Sequence, residues 1–420
     1  MTPRRLLFIS GSGGLGHVTR DLAMAKALRQ TLGDVEIRWL AASPASDVLA
    51  EAGEPLLPQA ANWADETVVG ADMAAREADR GRPFRFNVLN WFMAIRPQHQ
   101  QNVGIFREVV AQESFDVIIG DEAYEIVMAL REKKIHTPGP FVMIYDFIGV
   151  DPMTRSPLEN LGAYIVNRRW AYGYKIAPDV PIKICFIGEM EDIPDRPFGP
   201  GLPNRRRWAE EQCRILGYVL PFDLASCEAR PALRRKLGYG EEPLVVCAVG
   251  GSGIGKELLD LCVASYPLAK QKIPNLRMVL VGGPRLQVPA SCVTPELEMR
   301  GYVPALYEHF AACDLGITQC GGTSTLELEA LRRPFLYFPL ESHFEQQLHV
   351  AKRLERHGAG VKMRFSTTSA SVLAEAIVAH IGRDVSGRAV PVQGAQRLAE
   401  FVSDLLGVPG SIPTARGTPA

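Results

Sequence analysis

The sequence predicts an α/β protein of two Rossmann-like domains facing each other across a cleft. Three observations carry this. Strand-like apolar runs alternate with amphipathic helical ones, the signature of parallel sheets wrapped by helices. The succession strand, glycine-rich loop, helix opens the chain at Arg5 and restarts at Leu244. The chain has 420 residues, more than one ordinary core, so two domains of roughly 200 residues are expected.

In the first half RLLFIS reads as a strand, GSGGLGH (11–17) as a loop, and TRDLAMAKALRQTL as a helix with apolar residues at helical spacing. VEIRWLAA is the second strand, and ASDVLAEAG a helix closed by Gly53. FDVIIGD, FVMIYDF and IKICFIG are further strands, the first two separated by the helical YEIVMALREK. Between 62 and 100 the pattern loosens into an arginine- and aromatic-rich stretch. From 188 to 243 the chain turns proline-rich and then charged, which places a domain boundary near 218–225.

The second half repeats the design. LVVCAVG is a strand, GSGIG (251–255) a loop, KELLDLCVASYPLAKQK a helix, and RMVLVGG a strand. LYEHFAACD, LGITQ, GGTSTLELEALRR and PFLYFPL follow as helix, strand, glycine turn with helix, and strand. The organisation is therefore 1–220, 221–390, an amphipathic helix within 391–407, and a tail 408–420 whose composition predicts disorder.

Composition excludes several classes. With 46 basic against 47 acidic residues, no global field favours nucleic acid. The eight cysteines (185, 213, 227, 247, 262, 292, 313, 320) form no CxxC pair and read as core residues of a cytoplasmic protein, not a zinc site. No run approaches the ~18 apolar residues of a membrane helix.

A strand that delivers a glycine turn into a helix start gathers backbone N–H groups at a positive dipole end, which suits an anion. GGSGIGK fits GxxxxGK, but Glu257 follows where a phosphate-binding loop needs Ser or Thr, so a nucleoside-triphosphatase reading fails. GSGGLG (Gly11, Gly13, Gly16) fits GxGxxG, but Ala41 and Ala42 stand where a dinucleotide fold offers an acid to the ribose. His17 follows that loop at a helix start, where the dipole favours the neutral imidazole a general base needs. The alternative role is capping or packing.

TQCGGTSTLELEALRRPFLYFPLESHFEQ (318–346) is the most specific stretch. It resembles the nucleotide-sugar signature of the UDP-glycosyltransferases, with Thr318, Cys320, Gly321, Ser324, Thr325, Leu326 and Glu327 matching and Glu345-Gln346 standing where these enzymes have Asp-Gln. Val249 to Ser252 and Ser12 to His17 are similar to loops of the peptidoglycan N-acetylglucosaminyltransferases. The resemblance implies the GT-B architecture, with the last helix returning to the first domain. It implies transfer of a sugar from a nucleotide-diphosphate donor, UDP by analogy, to an acceptor hydroxyl.

The resemblance assigns the donor to Gly250, Gly251, Ser252, Gly321, Gly322, Thr323, Ser324, Thr325, Glu327, Glu345 and Gln346, with Glu327 on the ribose hydroxyls. It makes His17 the candidate base and Asp121 its orienting partner, although Asp121 could also cap the next helix. Gly13, Gly14, Gly16 and Arg20 complete the acceptor-side loop. Gln319 and His349 depart from the family's histidine and asparagine. GHVTR also resembles relatives that include a UDP-sugar hydrolase; an epimerase and a non-catalytic nucleotide-sugar binder are further alternatives.

No D-x-D occurs, so no metal and no cofactor is expected, the nucleotide-sugar being a co-substrate. On the acceptor side, Arg76, Arg80, Arg82, Phe84, Arg85, Phe86, Trp91 and Phe92, with Arg168-Arg169-Trp170 and Arg205-Arg206-Arg207-Trp208, mix cations with aromatics. They suit a lipid headgroup or anionic acceptor at a peripheral membrane contact, or a partly buried helix with solvated arginines. The acceptor, small-molecule or lipid-linked, is not specified.

Overall fold

A computed structural model describes residues 3–11, 15–66, 68–70, 72–73, 76, 88–176, 179–250, 255–283, 294–341, 343–385 and 388–407. The first sheet is built from β1 (Arg4–Ile9), β2 (Val35–Leu40), β3 (Val117–Asp121), β4 (Phe141–Tyr145), β5 (Ile182–Ile187) and β6 (Cys213–Gly217). The second comprises β7 (Leu244–Ala248), β8 (Arg277–Val281), β9 (Leu297–Arg300), β10 (Leu315–Thr318), β11 (Phe335–Tyr337) and β12 (Val361–Lys362). Every paired neighbour within them is parallel. Central strands such as β3, β4 and β7 are buried along their whole length, which is why they read as continuous apolar runs without alternation.

Helices cover both faces. In the first domain they are α1 (Leu15–Leu32), α2 (Ala45–Glu51), α3 (Val88–Gln112), α4 (Tyr124–Arg131), α5 (Pro157–Ile176) and α6 (Arg205–Gln212). The second has α7 (Arg230–Lys236), α8 (Lys256–Lys270), α9 (Leu306–Ala312), α10 (Gly322–Ala330), α11 (Ala351–His357) and α12 (Ala370–His380). The last helix, α13 (Gly394–Leu405), returns to the first domain: Leu398, Ala399 and Val402 share one core with Val18, Met24 and Leu28 of α1. The tail 408–420 lies outside the described residues.

Strand order positions the site. The sheets run β2-β1-β3-β4-β5-β6 and β12-β11-β10-β7-β8-β9. In the first, the chain reverses direction across the sheet between β1 and β3; in the second, between β7 and β10. Such reversals open a crevice at the carboxyl ends of the strands, where parallel α/β sheets bind ligands. Gly11 after β1, Gly250 after β7 and the Gly321–Gly322 turn after β10 all lie at these two crevices.

The chain crosses between the domains twice, side by side. Tyr218 N donates to Pro391 O at 2.8 Å and Gly394 N to Tyr218 O at 2.9 Å. A Cβ at Gly217, whose φ is +79°, would fall 2.9 Å from Pro391 O, so the two crossings can approach only with glycine there. Beside them the side chains of Glu189 and Asp192 accept hydrogen bonds from Arg356 at 2.9 and 2.6 Å. His357 bridges Glu329 and Glu189, its Nε2 lying 3.1 Å from Glu189 Oε2.

Candidate active site

The two crevices merge into one cleft of about 1350 Å³. One wall carries Gly11, Gly16, His17, Arg20, Asp121, Glu122 and Asp146; the facing wall carries Gly250, Gln319, Gly321, Gly322, Thr323, Ser324, Glu345 and Gln346. Residues Gly13, Gly14, Gly251 and Ser252 lie outside the described residues.

On the first wall, β1 ends at Ile9 and the chain turns through Gly11 into α1. A Cβ at Gly11 would fall 2.9 Å from Asp121 O and 3.1 Å from His17 Nδ1, so glycine there lets the imidazole pack against the end of β3. His17 Nδ1 lies 2.9 Å from Asp121 Oδ2. Asp121 does not cap α4; the position before that helix is Ala123, with no side-chain cap. In the tautomer whose Nδ1–H donates to Asp121, Nε2 keeps its lone pair.

Arg20 is more than a loop residue. It is 7% exposed, grips Asp121 through Nε (3.0 Å) and Nη2 (2.7 Å), and reaches Asp146 through Nη1 (3.1 Å). Its Nη2 is also 2.8 Å from His17 Nδ1. Burial would raise the Asp121 carboxyl, but Arg20 and then His17 outweigh it and hold it well below the ordinary carboxylate range. Asp146 behaves alike: burial is overcome by Arg20 and by a hydrogen bond from Glu122. Burial first, then Asp146, pushes Glu122 well above its ordinary value. Sequence reasoning placed Glu122 beside Asp121 at the end of FDVIIGDE but gave it no role, and it missed Asp146, which directly follows the apolar run FVMIY.

On the second wall, Cys320 (φ +63°) turns β10 into α10, with Gly321 at the N-cap. A Cβ at Gly321 would meet nothing within 4 Å, so the helix start is open to the cleft. Thr323 and Ser324 line it. Thr325 does not: its hydroxyl donates back to Gly321 O at 2.8 Å and accepts from Arg353 at 2.9 Å, which spends it on the helix. Gln346 Oε1 accepts from Leu340 N at 2.8 Å, fixing the loop after β11.

Glu327 is 6% exposed on α10 and does not line the cleft. No hydrogen bond or ion pair holds its carboxyl among the described residues, and burial pushes it up to about 8. Glu345 faces the cleft and is also pushed up to about 8, by burial and then by Asp146 across the gap. Burial lowers His343 and His349 to about 4, so both are neutral.

Further into the first domain the cleft is aromatic. Tyr124 stacks on Tyr145 at 5.6 Å, and Trp170 packs against Tyr145 at 4.8 Å and Phe147 at 5.9 Å. Trp91, Phe92 and Arg169 also line it. Arg205 and Trp208 are turned inward: Arg205 is buried on Asp151 at 2.8 Å, and Trp208 Nε1 donates to Ala171 O, while Arg207 between them is exposed. Arg76 is exposed, and Arg80, Arg82, Phe84, Arg85 and Phe86 lie outside the described residues.

Two clusters place His and carboxylate atoms within 4.8 Å of one another: His17, Glu122 and Asp146, and Glu66, His99 and Glu125. In the first the Arg20 guanidinium already supplies a cation, and in the second Glu66 pairs with His99 at 2.8 Å. No metal is assigned to either.

The fold and cleft define a two-domain α/β enzyme in which an open helix start faces a histidine across an interdomain gap. Residues 245–383 match the family model described as glycosyltransferase family 28 C-terminal domain. An uncharacterized glycosyltransferase of Methanopyrus kandleri is 31% identical over 302 residues, 71% of this chain and 78% of that protein. The UDP-N-acetylglucosamine–N-acetylmuramyl-(pentapeptide) pyrophosphoryl-undecaprenol N-acetylglucosamine transferase of Carboxydothermus hydrogenoformans is 33% identical over 141 residues. That match spans 32% of this chain but only 38% of the relative's length. Among solved structures, the kitacinnamycin glycotransferase superposes with a TM-score of 0.61 at 15% identity, covering 97% of this chain and 100% of that one. The chain belongs to the GT-B glycosyltransferase superfamily. Among the described residues, no helix is long and apolar enough to cross a membrane.

Proposed function

We propose that the protein transfers a sugar from a nucleotide-diphosphate donor, a UDP-sugar, to an acceptor hydroxyl without a metal, with His17 as general base. The observation that carries this is the opposition of the open α10 start, Gly321 to Ser324, to the His17–Asp121 pair across a single cleft. The helix start offers backbone N–H groups and two hydroxyls to a diphosphate. Glu345 and Gln346 stand beside it to orient the sugar. Asp121 fixes the imidazole so that Nε2 can take the proton of the attacking hydroxyl. The leaving diphosphate is then stabilised by fixed dipoles in place of a metal.

The aromatic part of the cleft suits the body of the acceptor. Leu158, Leu161 and Ile165 are exposed on α5, Ile165 and Arg169 at the cleft itself. This arrangement supports an acceptor presented by a lipid surface, which the protein would meet peripherally from the cytoplasm.

The test is incubation with a panel of UDP- and dTDP-sugars, with and without cell extract, following both nucleotide and sugar. Transfer gives nucleotide release that depends on the extract and incorporation of sugar into a product. Free sugar released at the full rate without extract identifies a hydrolase. Interconverted sugar identifies an epimerase, and binding without turnover a sensor. Any of these three would sink the proposal.

A further inference from the structure

Glu122 has a backbone conformation that a glutamate rarely adopts. Its φ is +54°, a strained conformation for a non-glycine residue that persists only where surroundings enforce it. The enforcement is visible. Its N–H donates to Ile144 O at 3.1 Å, and its Oε1 accepts from Tyr124 Oη at 2.9 Å. The other carboxyl oxygen is thereby held in the cleft, 3.7 Å from His17 Nε2. That gap is too long for a hydrogen bond but closes with a small tilt of the ring.

Asp121, the obvious counter-ion for a protonated His17, is already committed. Arg20 grips both its oxygens at 3.0 and 2.7 Å, and the same Nη2 that holds Oδ1 lies 2.8 Å from Nδ1. A cation so placed opposes a positive charge on the imidazole. The missing charge has to come from elsewhere, and Asp146 supplies it. Asp146 and Glu122 bring carboxyl oxygens within 4.8 Å of each other and of His17. Two carboxyls this close do not both ionise readily; Arg20 on Asp146 keeps the charge there, which leaves the proton on Glu122. Asp21 and Glu345 also face this group, and burial raises both carboxyls towards the neutral form. The charges of Arg20, Asp121 and Asp146 then leave one negative charge over, and a proton on His17 cancels it.

Resting on the base reading of His17 above, we propose that the Glu122–Asp146 pair balances the imidazolium, with Glu122 taking the hydrogen bond of the protonated Nε2. The proton balance is closed. The hydroxyl proton passes to Nε2 as its oxygen bonds the anomeric carbon. The bond from that carbon to the phosphate oxygen breaks, and its electron pair leaves with the nucleoside diphosphate. Asp121 keeps its hydrogen bond from Nδ1, and the carboxyl pair keeps its single proton. Glu122 and Asp146 are positioning residues; neither needs to touch the sugar.

The test uses the full chain with the donor and acceptor preparation that the panel above identifies. Glu122→Ala is expected to lower kcat about tenfold or more, with nucleotide affinity by calorimetry unchanged. Glu122→Gln should recover most of that loss, because an amide mimics a protonated carboxyl. Asp146→Asn should lower kcat and move the acid limb of the kcat/KM profile about one pH unit lower, since a negative charge near the base is gone. Gln as damaging as Ala, or an unmoved limb in a folded Asp146→Asn enzyme, overturns the proposal. Should Asp146→Asn not fold, the Gln-against-Ala comparison decides alone. His17→Ala separates the two claims: full turnover there removes the base itself, whereas a slow His17→Ala beside indifferent Glu122 variants removes only the pair.

Discussion

Gly16 and Thr323 touch across the cleft: a Cβ built on Gly16 would lie 2.3 Å from Thr323 Oγ1 and 2.9 Å from its Cβ. The first turn of α1 in one domain is thus packed against the start of α10 in the other. Gly16→Ala would normally help a helix by up to ~1 kcal/mol. Here the methyl must push the domains apart or turn Thr323 out of the cleft. We expect weaker UDP binding and lower turnover, with no gain in thermal stability. Wild-type UDP affinity for Gly16→Ala by calorimetry would show that this contact does not hold the closed cleft.

His17→Ala should cut kcat ~10²–10⁴-fold, the usual cost of losing a general base, and leave UDP affinity intact. Single-turnover kinetics beside calorimetry test both halves. Wild-type turnover would reduce His17 to a packing role.

Asp121→Asn should do something different. Asp121 is fully buried and answers both His17 and Arg20. Breaking a buried ion pair from one side typically costs 3–5 kcal/mol, because the other charge stays behind. Urea unfolding should therefore show a large loss of stability in Asp121→Asn, partly relieved by adding Arg20→Gln. A mutant as stable as the parent would mean that Arg20 is fully satisfied by Asp146.

How much of this was legible in the chain depends on the range of the interactions. The strands and the glycine turns after β1, β7 and β10 are local patterns, and each is written within a dozen residues. The second-wall residues Gly321 to Ser324 share one short ordered motif. Thr325 misleads because hydroxyls at a helix start can turn outward to a ligand or back to a carbonyl, and only packing against Arg353 decides. The groups around His17 come from the ends of β3 and β4, 104 residues away for Asp121 and 126 from Arg20 to Asp146. Adjacent strands bring them together, and no spacing rule in the sequence records that adjacency. The same holds for the Glu189–His357 contact, 168 residues apart.

That contact makes its own prediction. Glu189 accepts from Arg356, His357 and Arg388, all beyond the first crossing between domains. Burial opposes its ionised form, but the bonds from Arg356 and His357 prevail and lower its carboxyl below the ordinary value. A depressed carboxylate contributes stability at neutral pH that is lost as pH falls through its folded-state value. Glu189→Gln should loosen the domains, seen as faster hydrogen exchange in α11 and around Tyr218, with little change at acid pH where the parent has lost the same charge. Equal exchange in both proteins at pH 7 would show that the paired crossings alone fix the hinge.

Glu327 sets stability against function. Its carboxyl is buried on α10 without a partner among the described residues, at about 8 instead of 4.5. Because the folded-state value is raised, the group costs nothing below pH 4.5 and destabilises progressively as pH rises from 4.5 towards 8. At ~1.4 kcal/mol per pH unit the full penalty is a few kcal/mol. Glu327 does not line the cleft, so ribose hydroxyls reach its carboxylate only if α10 shifts; a nucleotide that makes that shift would give the charged group the hydrogen bonds it lacks. Glu327→Gln should then raise the melting temperature of the ligand-free protein at pH 8 but not at pH 4, and weaken UDP binding by about 1–3 kcal/mol. The decisive measurement is a thermal melt of both proteins at the two pH values, with and without UDP. A Gln variant that is no more stable at pH 8, yet binds UDP as the parent does, would remove Glu327 from the donor site and leave it a residue of the α10 packing.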